Sequence, residues 1–229
     1  MQADLAKVLH EVNGRPLVLW VLDALAEAAP NATAVVVGYQ ADAVRAVLPA
    51  TVTSALQEEQ LGTGHAAEIG LAALPAGQAT VLVLPGDMPL LGASTIAALV
   101  AQHQRDANAA TVLTSIVDDP TGYGRVLRGD TGVTAIVEER DADARQQTVR
   151  EVNTSVYAFE RAPLEAALGS VRSNNDQGER YLTDVVGLLV AAGERVGALI
   201  TDAVEGMGVN DDAQLLAAEM ELRARDEGS

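Results

Sequence analysis

Thr80-Val-Leu-Val-Leu84 runs without a break into Pro85-Gly86-Asp87-Met-Pro89. An apolar, β-branched run with no alternation reads as a strand covered on both faces, and the turn formers behind it end the strand. The same texture recurs at Thr33-Ala-Val-Val-Val-Gly38, at Ala110-Thr-Val-Leu-Thr-Ser-Ile-Val117 and at Arg195-Val-Gly-Ala-Leu-Ile-Thr201. Between these runs the apolar residues take helical spacing, over 16–29, 41–48, 62–74, 94–106 and 181–192. Pro16 opens the first of these, where its missing N–H costs nothing. Strands alternating with helices predict an α/β fold with a mostly parallel sheet. Ligands of such sheets sit just past the carboxyl ends of the strands, and Asp87 stands at that place.

The texture changes after Asp118. Arg125-Val-Leu-Arg128 and Val133-Thr-Ala-Ile-Val-Glu138 flank Gly-Asp-Thr-Gly, a hairpin signal, and Glu151-Val-Asn-Thr-Ser-Val-Tyr-Ala-Phe159 reads as a further strand. These predict a sheet extension built onto the first half of the chain. Residues 211–226 predict an amphipathic helix with Leu215, Leu216, Met220 and Leu222 in one apolar stripe, capped by Asn210, Asp211 and Asp212. We therefore divide the chain into a domain over 1–210 and a terminal helix over 211–229. The segment Asp4-Leu-Ala-Lys7-Val-Leu-His10 has no β-branched run before it, so the strand with which such a fold normally opens is missing from the sequence reading.

Composition narrows the partners. The 229 residues include no cysteine, 3 histidines, and 32 acidic against 15 basic side chains, for a formal charge of −17. Disulfides, thiolate metal sites and cysteine nucleophiles are excluded together. The charge argues against nucleic acid as a partner, which requires basic surface to replace counterions. No apolar run reaches the roughly 20 residues of a bilayer span, and Met1 to Lys7 is no signal peptide, so a cytoplasmic location is expected. Of the 15 basic residues only Lys7 is lysine. A coding bias toward alanine and arginine accounts for that on composition alone; a compact charge reserved for a phosphate is the sharper reading.

Taken singly, the polar segments leave alternatives open. Asp87 is either a Mg²⁺ ligand, since Mg²⁺ takes few protein oxygens, or a turn residue satisfying local N–H groups. In Gln57-Glu-Glu-Gln-Leu-Gly62-Thr63-Gly64-His65 the glycines at a helix start either let a ligand approach backbone N–H groups or mark a tight turn, and His65 is as readily a packing residue as a catalytic one. Asp118-Asp-Pro-Thr-Gly-Tyr-Gly124 and Gly206-Met-Gly-Val-Asn210 read as connections. Glu138-Glu139 with Asp141 and Asp143 reads as a solvated acidic edge, and Tyr181 as core.

Read together and in order, these segments resemble one family. They are Asp-Leu-Ala-Lys7-Val-Leu-His10, Gln57 with Gly62-Thr63-Gly64-His65-Ala66, Gly86-Asp87-Met-Pro-Leu, Pro-Thr-Gly-Tyr-Gly124-Arg, Ile-Val-Glu138-Glu, Glu-Val-Asn153-Thr, Gln177-Gly-Glu-Arg-Tyr181-Leu-Thr183-Asp184 and Gly-Val-Asn210. The family is the uridyltransferase domain of the bacterial bifunctional N-acetylglucosamine-1-phosphate uridyltransferase / glucosamine-1-phosphate N-acetyltransferase, and the resemblance covers almost the whole chain. It implies a Rossmann-like nucleotide-diphospho-sugar transferase fold with a mixed, mostly parallel sheet and a β-hairpin extension. It implies transfer of UMP from UTP to N-acetylglucosamine 1-phosphate with release of pyrophosphate. On the matching positions, Gln57, Gly62 and Thr63 would read the uracil, and Asp87 and Asn210 would hold Mg²⁺, with Gly86 beside them in the substrate site. Gly124, Glu138 and Asn153 would bind the sugar and its N-acetyl group with Tyr181 and Thr183 close by. Lys7 would contact phosphate, so that Lys7 and Asp87 carry the chemistry.

The chain departs from the family pattern in places. The family opens with a strand and the loop Leu-Ala-Ala-Gly-x-Gly-Thr-x-Met, of which only Met1 matches here. That strand would lie between the runs at 33–38 and 80–84, which are therefore expected either to stand apart or to close on each other. At the other end the family continues into a left-handed β-helix that carries the acetyltransferase site and the trimer contacts, so neither is expected of these residues. Ala6 replaces a usual proline, Pro85 a frequent tyrosine and Ser155 a glycine. A related transferase with another nucleotide or sugar, and a non-catalytic binding remnant, are the alternatives.

Overall fold

The computed structural model describes residues 5–77, 80–130, 132–173, 175 and 177–227. Met1, and Thr131 of the hairpin loop, lie outside these residues. In chain order the elements are β1 (Glu11–Val12), β2 (Arg15–Pro16), α1 (Leu17–Glu27), β3 (Ala34–Val37), α2 (Ala41–Val47), β4 (Thr53–Leu56), α3 (Thr63–Ala73), β5 (Thr80–Val83), α4 (Ala93–Asp106) and β6 (Ala110–Ile116). There follow β7 (Arg125–Gly129), β8 (Gly132–Val137), β9 (Glu151–Glu160), α5 (Arg161–Leu168), α6 (Asp184–Ala191), β10 (Val196–Thr201) and α7 (Asp212–Glu227). Every strand and helix expected from periodicity is present within a few residues, and the fold is a mixed α/β sheet protein.

The centre of the sheet is β9. Its ten residues run antiparallel to β6 along one edge, and to β5 and β7 at the two ends of the other. β10 joins β6 in parallel, so β5, β6 and β10 share one direction and β9 opposes all three. Antiparallel pairs thus outnumber parallel ones in this sheet, which corrects the expectation of a mostly parallel one. Buried strands look alike in sequence whichever way their neighbours point. The hairpin of β7 and β8 extends the sheet as expected. The largest core cluster lies on the face covered by α5 and α6, where Phe159, Leu164, Val185 and Leu189 are fully buried.

Among the described residues β3 pairs only with β4 and β5 only with β9, so the strands at 34–37 and 80–83 stand apart. Helix α3 spans them: it packs on β3 and β4, while its Leu71 joins Val81 in the large core. The β1–β2 ribbon is unexpected. Its two-residue flanks are too short for periodicity to register, although Asn13 (φ 50°) and Gly14 (φ 71°) form the left-handed pair that a tight hairpin turn requires. Helix α7 packs Ala218 and Leu222 against Val12, Leu17 and Leu90, whereas Leu216 and Met220 face solvent. The single apolar stripe drawn from the sequence therefore splits over two faces: 215, 218 and 222 point inward, and 216 and 220 point out. Its start is capped as expected, with the Gln214 N–H donating to Asp211 Oδ1 at 2.8 Å.

Candidate active site

Three backbone segments carry the charged end of the site. Lys7 begins a single turn of 3-10 helix, Lys7–Leu9. The turn is held by the Ala6 N–H on Gln40 Oε1 (2.8 Å) and by Val8, which packs where Gly86 has no side chain. Asp87 follows β5 in the turn at 85–89. The third segment, 206–210, is fastened to that turn by the Val209 N–H, which donates to the Asp87 carbonyl at 2.9 Å. The outcome is one meeting point. The Lys7 ammonium forms an ion pair with Asp87 Oδ2 and donates to Asn210 Oδ1 at 2.5 Å. The Asn210 amide nitrogen is turned the other way, toward the Gly208 carbonyl at 3.2 Å, so its oxygen faces the cation. A carboxylate and an amide oxygen converging on one positive group fit Mg²⁺, which takes about six oxygens and accepts phosphate and water for the rest. Among the described residues no group of three or more His, Cys, Asp or Glu could hold a metal ion by itself, so most of that shell would come from the ligand.

A second cluster lies around a cavity of about 260 Å³ lined by Glu138, Asp141, Tyr181, Thr183 and Asp184, among others. Gly124 and Asn153 join Glu138 there: a Cβ on Gly124 would lie 3.3 Å from Glu138 Oε2 and 3.6 Å from the Asn153 Cβ. The Asn153 N–H donates to the Gly124 carbonyl at 2.9 Å, which pins β9 to the start of β7. A bulge in β9, at the register shift opposite Leu113 and Thr114, sets Asn153 off the regular pleat. Ser155 within it takes φ 63° and donates its N–H to Asn153 Oδ1 at 3.0 Å. Thr183 donates its hydroxyl to Glu138 Oε1 at 2.9 Å.

Glu138 is no part of a solvated edge. Burial pushes its carboxyl pKa up, Thr183 works against that, and Asp141 and Asp184 add to it. Asp184 is raised as well, by burial and then by Asp141. The wall is thus acidic and under-solvated, suited to hydroxyl and amide N–H donors and hostile to anions. Tyr181, expected as core, is buried beside the cavity, with its hydroxyl near the Gln177 side chain and in no well-formed hydrogen bond among the described residues.

The two clusters adjoin at Tyr123. Its phenol pKa is raised first by burial and then by the charge of Asp87, while the next residue is Gly124. Arg125 fixes this loop. Its side chain is 2 % exposed, donates to the Tyr123 carbonyl, and pairs with Glu139 at 2.6 Å, which also accepts the Gly122 N–H. The sequence read Arg125 only as a strand start and Glu139 only as part of a solvated acidic edge; the structure makes them an ion pair. A buried arginine carries no periodic signal, and its place beside Gly124 was the only clue.

Gln57, Gly62 and Thr63 lie at the end of β4 and the start of α3. The Gln57 amide donates to the Gly62 carbonyl at 3.2 Å. Gly62 takes φ 101°, and a Cβ there would meet the Arg180 carbonyl at 2.7 Å. The Gly64 N–H is taken by that same carbonyl at 2.7 Å, and the Thr63 hydroxyl oxygen accepts the Leu182 N–H at 3.0 Å. The glycines thus serve the close approach of 180–182, which leads directly to Tyr181 and Thr183. Helix α6 accordingly begins at Asp184 rather than at Tyr181. His65 Nδ1 lies 3.2 Å from the Gln57 amide nitrogen and 3.1 Å from the Glu59 carbonyl, so it braces Gln57 within its own loop.

A lysine, a carboxylate and an amide oxygen meet past the end of β5, with an acidic cavity and a glycine-opened helix start nearby, and this is the rim at which ligands of open α/β sheets bind. Residues 1–167 match the family described as the MobA-like NTP transferase domain, and the chain belongs to that family. Two curated relatives are named bifunctional protein GlmU. The Brevibacillus brevis protein is 47% identical over 227 residues, covering 98% of this chain and 49% of the relative. The Kineococcus radiotolerans protein is 52% identical over 230 residues, covering 97% and 47%. The chain thus spans about half the length of these relatives. A solved structure from Bacillus anthracis, described as a glucose-1-phosphate thymidylyltransferase in complex with sucrose, superposes with a TM-score of 0.77 at 17% identity, over 97% of this chain and 88% of that one. That likeness concerns the fold. No helix among the described residues is long and apolar enough to cross a membrane.

Proposed function

We propose that this domain transfers UMP from UTP to N-acetylglucosamine 1-phosphate, releasing pyrophosphate and forming UDP-N-acetylglucosamine, a precursor of peptidoglycan. The observation that carries the reading is the division of charge: the acidic cavity at Glu138 and the cation point at Lys7, Asp87 and Asn210 are linked through the Tyr123–Gly124 loop. A sugar phosphate needs both surfaces at once. Its ring and N-acetyl group suit Glu138, Asn153, Thr183 and the Tyr181 hydroxyl, and its phosphate is kept out of the acidic wall and drawn to Lys7. Attack on the α-phosphorus joins two anions, so the protein's work is positioning and charge neutralisation. Asp87 and Asn210 would hold Mg²⁺, which supplies charge for the phosphates when bound. Gln57, at the mouth of α3, offers an amide to the uracil edge once its bond to the Gly62 carbonyl is exchanged. The same reading places the chain in the cytoplasm with its nucleotide substrates.

The test is pyrophosphate release from UTP and N-acetylglucosamine 1-phosphate, run beside other nucleotides and sugar phosphates, with calorimetric binding of the sugar phosphate. Asn153→Ala is expected to weaken sugar-phosphate binding at least tenfold. Lys7→Ala is expected to lower turnover by orders of magnitude with the fold intact. Equal affinity in wild type and Asn153→Ala would remove the sugar from this cavity. Preference for another nucleotide would favour the related-transferase alternative.

A further inference from the structure

Resting on the metal reading above, we propose that the Lys7 ammonium and the divalent cation occupy the same point in turn. Lys7 is then a built-in placeholder that a bare metal ion must evict. Three observations carry this. Lys7 Nζ contacts both oxygens that would ligate the metal, Asp87 Oδ2 and Asn210 Oδ1. The segments that carry those oxygens are tied down, so both oxygens are aimed at the one point the ammonium fills. The Asp87 backbone is tied to Val209, the Asn210 N–H is held by Gln214 Oε1 at 2.7 Å, and the Asn210 amide is oriented by the Gly208 carbonyl. Lys7 itself enters from a third segment, 203 residues away from Asn210 in sequence, on a flexible four-carbon stem that can swing aside without moving the backbone.

Sharing the point has a consequence for the order of events. A metal ion alone gains two protein oxygens but must break both contacts of the ammonium and leave it beside a like charge. A metal ion arriving with a phosphate meets no such penalty, because the phosphate gives Lys7 a new anionic partner as it completes the metal's shell. Metal therefore loads with the phosphate ligand rather than ahead of it. The displaced lysine is delivered onto the phosphate in the same movement. Arginine would not serve: its planar fork is wider than a metal ion and would hold the carboxylate in two places.

Two measurements test this on the full chain. The first is Mn²⁺ binding without nucleotide, followed by the loss of the free-ion paramagnetic resonance signal. If Lys7 fills the point about nine-tenths of the time, Lys7→Met binds Mn²⁺ about tenfold more tightly than wild type. Adding inorganic pyrophosphate narrows the difference, by strengthening wild-type binding more than that of the variant. The second uses the fact that Lys7 is the only lysine in the chain, so lysine-labelled protein gives one side-chain ammonium resonance. Titration with Mg²⁺ should shift that resonance along the same curve that fills the site, a readout that needs no variant. The proposal is overturned if Mg²⁺ saturates the site with the lysine resonance unmoved, or if Lys7→Met binds Mn²⁺ no more tightly than wild type while Asp87→Asn weakens it. Should Asp87→Asn bind Mn²⁺ as wild type does, the metal reading falls and takes the placeholder with it.

Discussion

Replacing Arg125 with methionine removes the staple that holds the Tyr123–Gly124 loop against Glu139 while keeping the volume nearly filled. Two charge-assisted hydrogen bonds are lost, to the Tyr123 carbonyl and to Glu139, each contributing about 1.5–3 kcal/mol. Part returns, because Arg125 Nε is buried without a partner among the described residues and its removal relieves about 1–3 kcal/mol. Glu139 keeps about a third of its side chain in water (32%) and resolvates when left alone. With mid-range values for each term the net loss is about 2–3 kcal/mol, less than the full penalty of an abandoned buried charge. For a domain of this size that lowers Tm by about 5–10 °C. Urea denaturation followed by circular dichroism, on Arg125→Met, Glu139→Gln and the double variant, gives both the loss and the coupling. The double variant should be no less stable than Arg125→Met, since Glu139 has already lost its partner. Affinity for N-acetylglucosamine 1-phosphate should fall with the loosened loop. An Arg125→Met stability within about 0.5 kcal/mol of wild type would refute the reasoning, for it would mean that the buried guanidinium holds nothing.

Glu138→Gln is expected to stabilise the free domain while weakening sugar binding. Burial raises the Glu138 pKa, so its ionisation costs stability above that raised value. The advantage of glutamine should therefore shrink as pH falls through it, as melting curves across pH will register. His103 gives the opposite slope. It is fully buried between Thr111 and Glu160, and burial lowers its pKa against the pull of Glu160. The unfolded chain thus takes the proton first, and stability present above about pH 6.5 is lost as pH falls below it. His103→Gln should flatten that part of the profile. Ser155→Gly relieves a left-handed serine at φ 63°, worth about 1–2 kcal/mol, against about 0.5–1 kcal/mol of added unfolded-chain entropy. A Tm rise of a few degrees with sugar-phosphate affinity intact is expected; a fall would show that the Ser155 side chain does more than occupy the turn.

The sequence alone determined most elements that owe their form to neighbours in the chain, the β1–β2 ribbon and α5 excepted. The unbroken apolar runs at 80–84 and 110–117 are strands, the helical spacings are helices, and the runs on either side of the hairpin signal pair antiparallel. The sequence also brought Lys7, Asp87, Glu138, Asn153 and Asn210 to attention, through motif order. Tertiary structure decided the rest, because those decisions are pairings between distant residues that leave no period behind. The antiparallel course of β9 between β5 and β6 looks, in sequence, like any buried strand. The inner face of α7 follows from what Val12 and Leu90 offer it, and not from its own pattern. A solvated acidic edge and a buried acid on a cavity wall read identically until Thr183 and Asp184 arrive beside Glu138. The lone lysine was visible from composition. That its ammonium sits on both candidate metal ligands could be seen only once segments 203 residues apart had met.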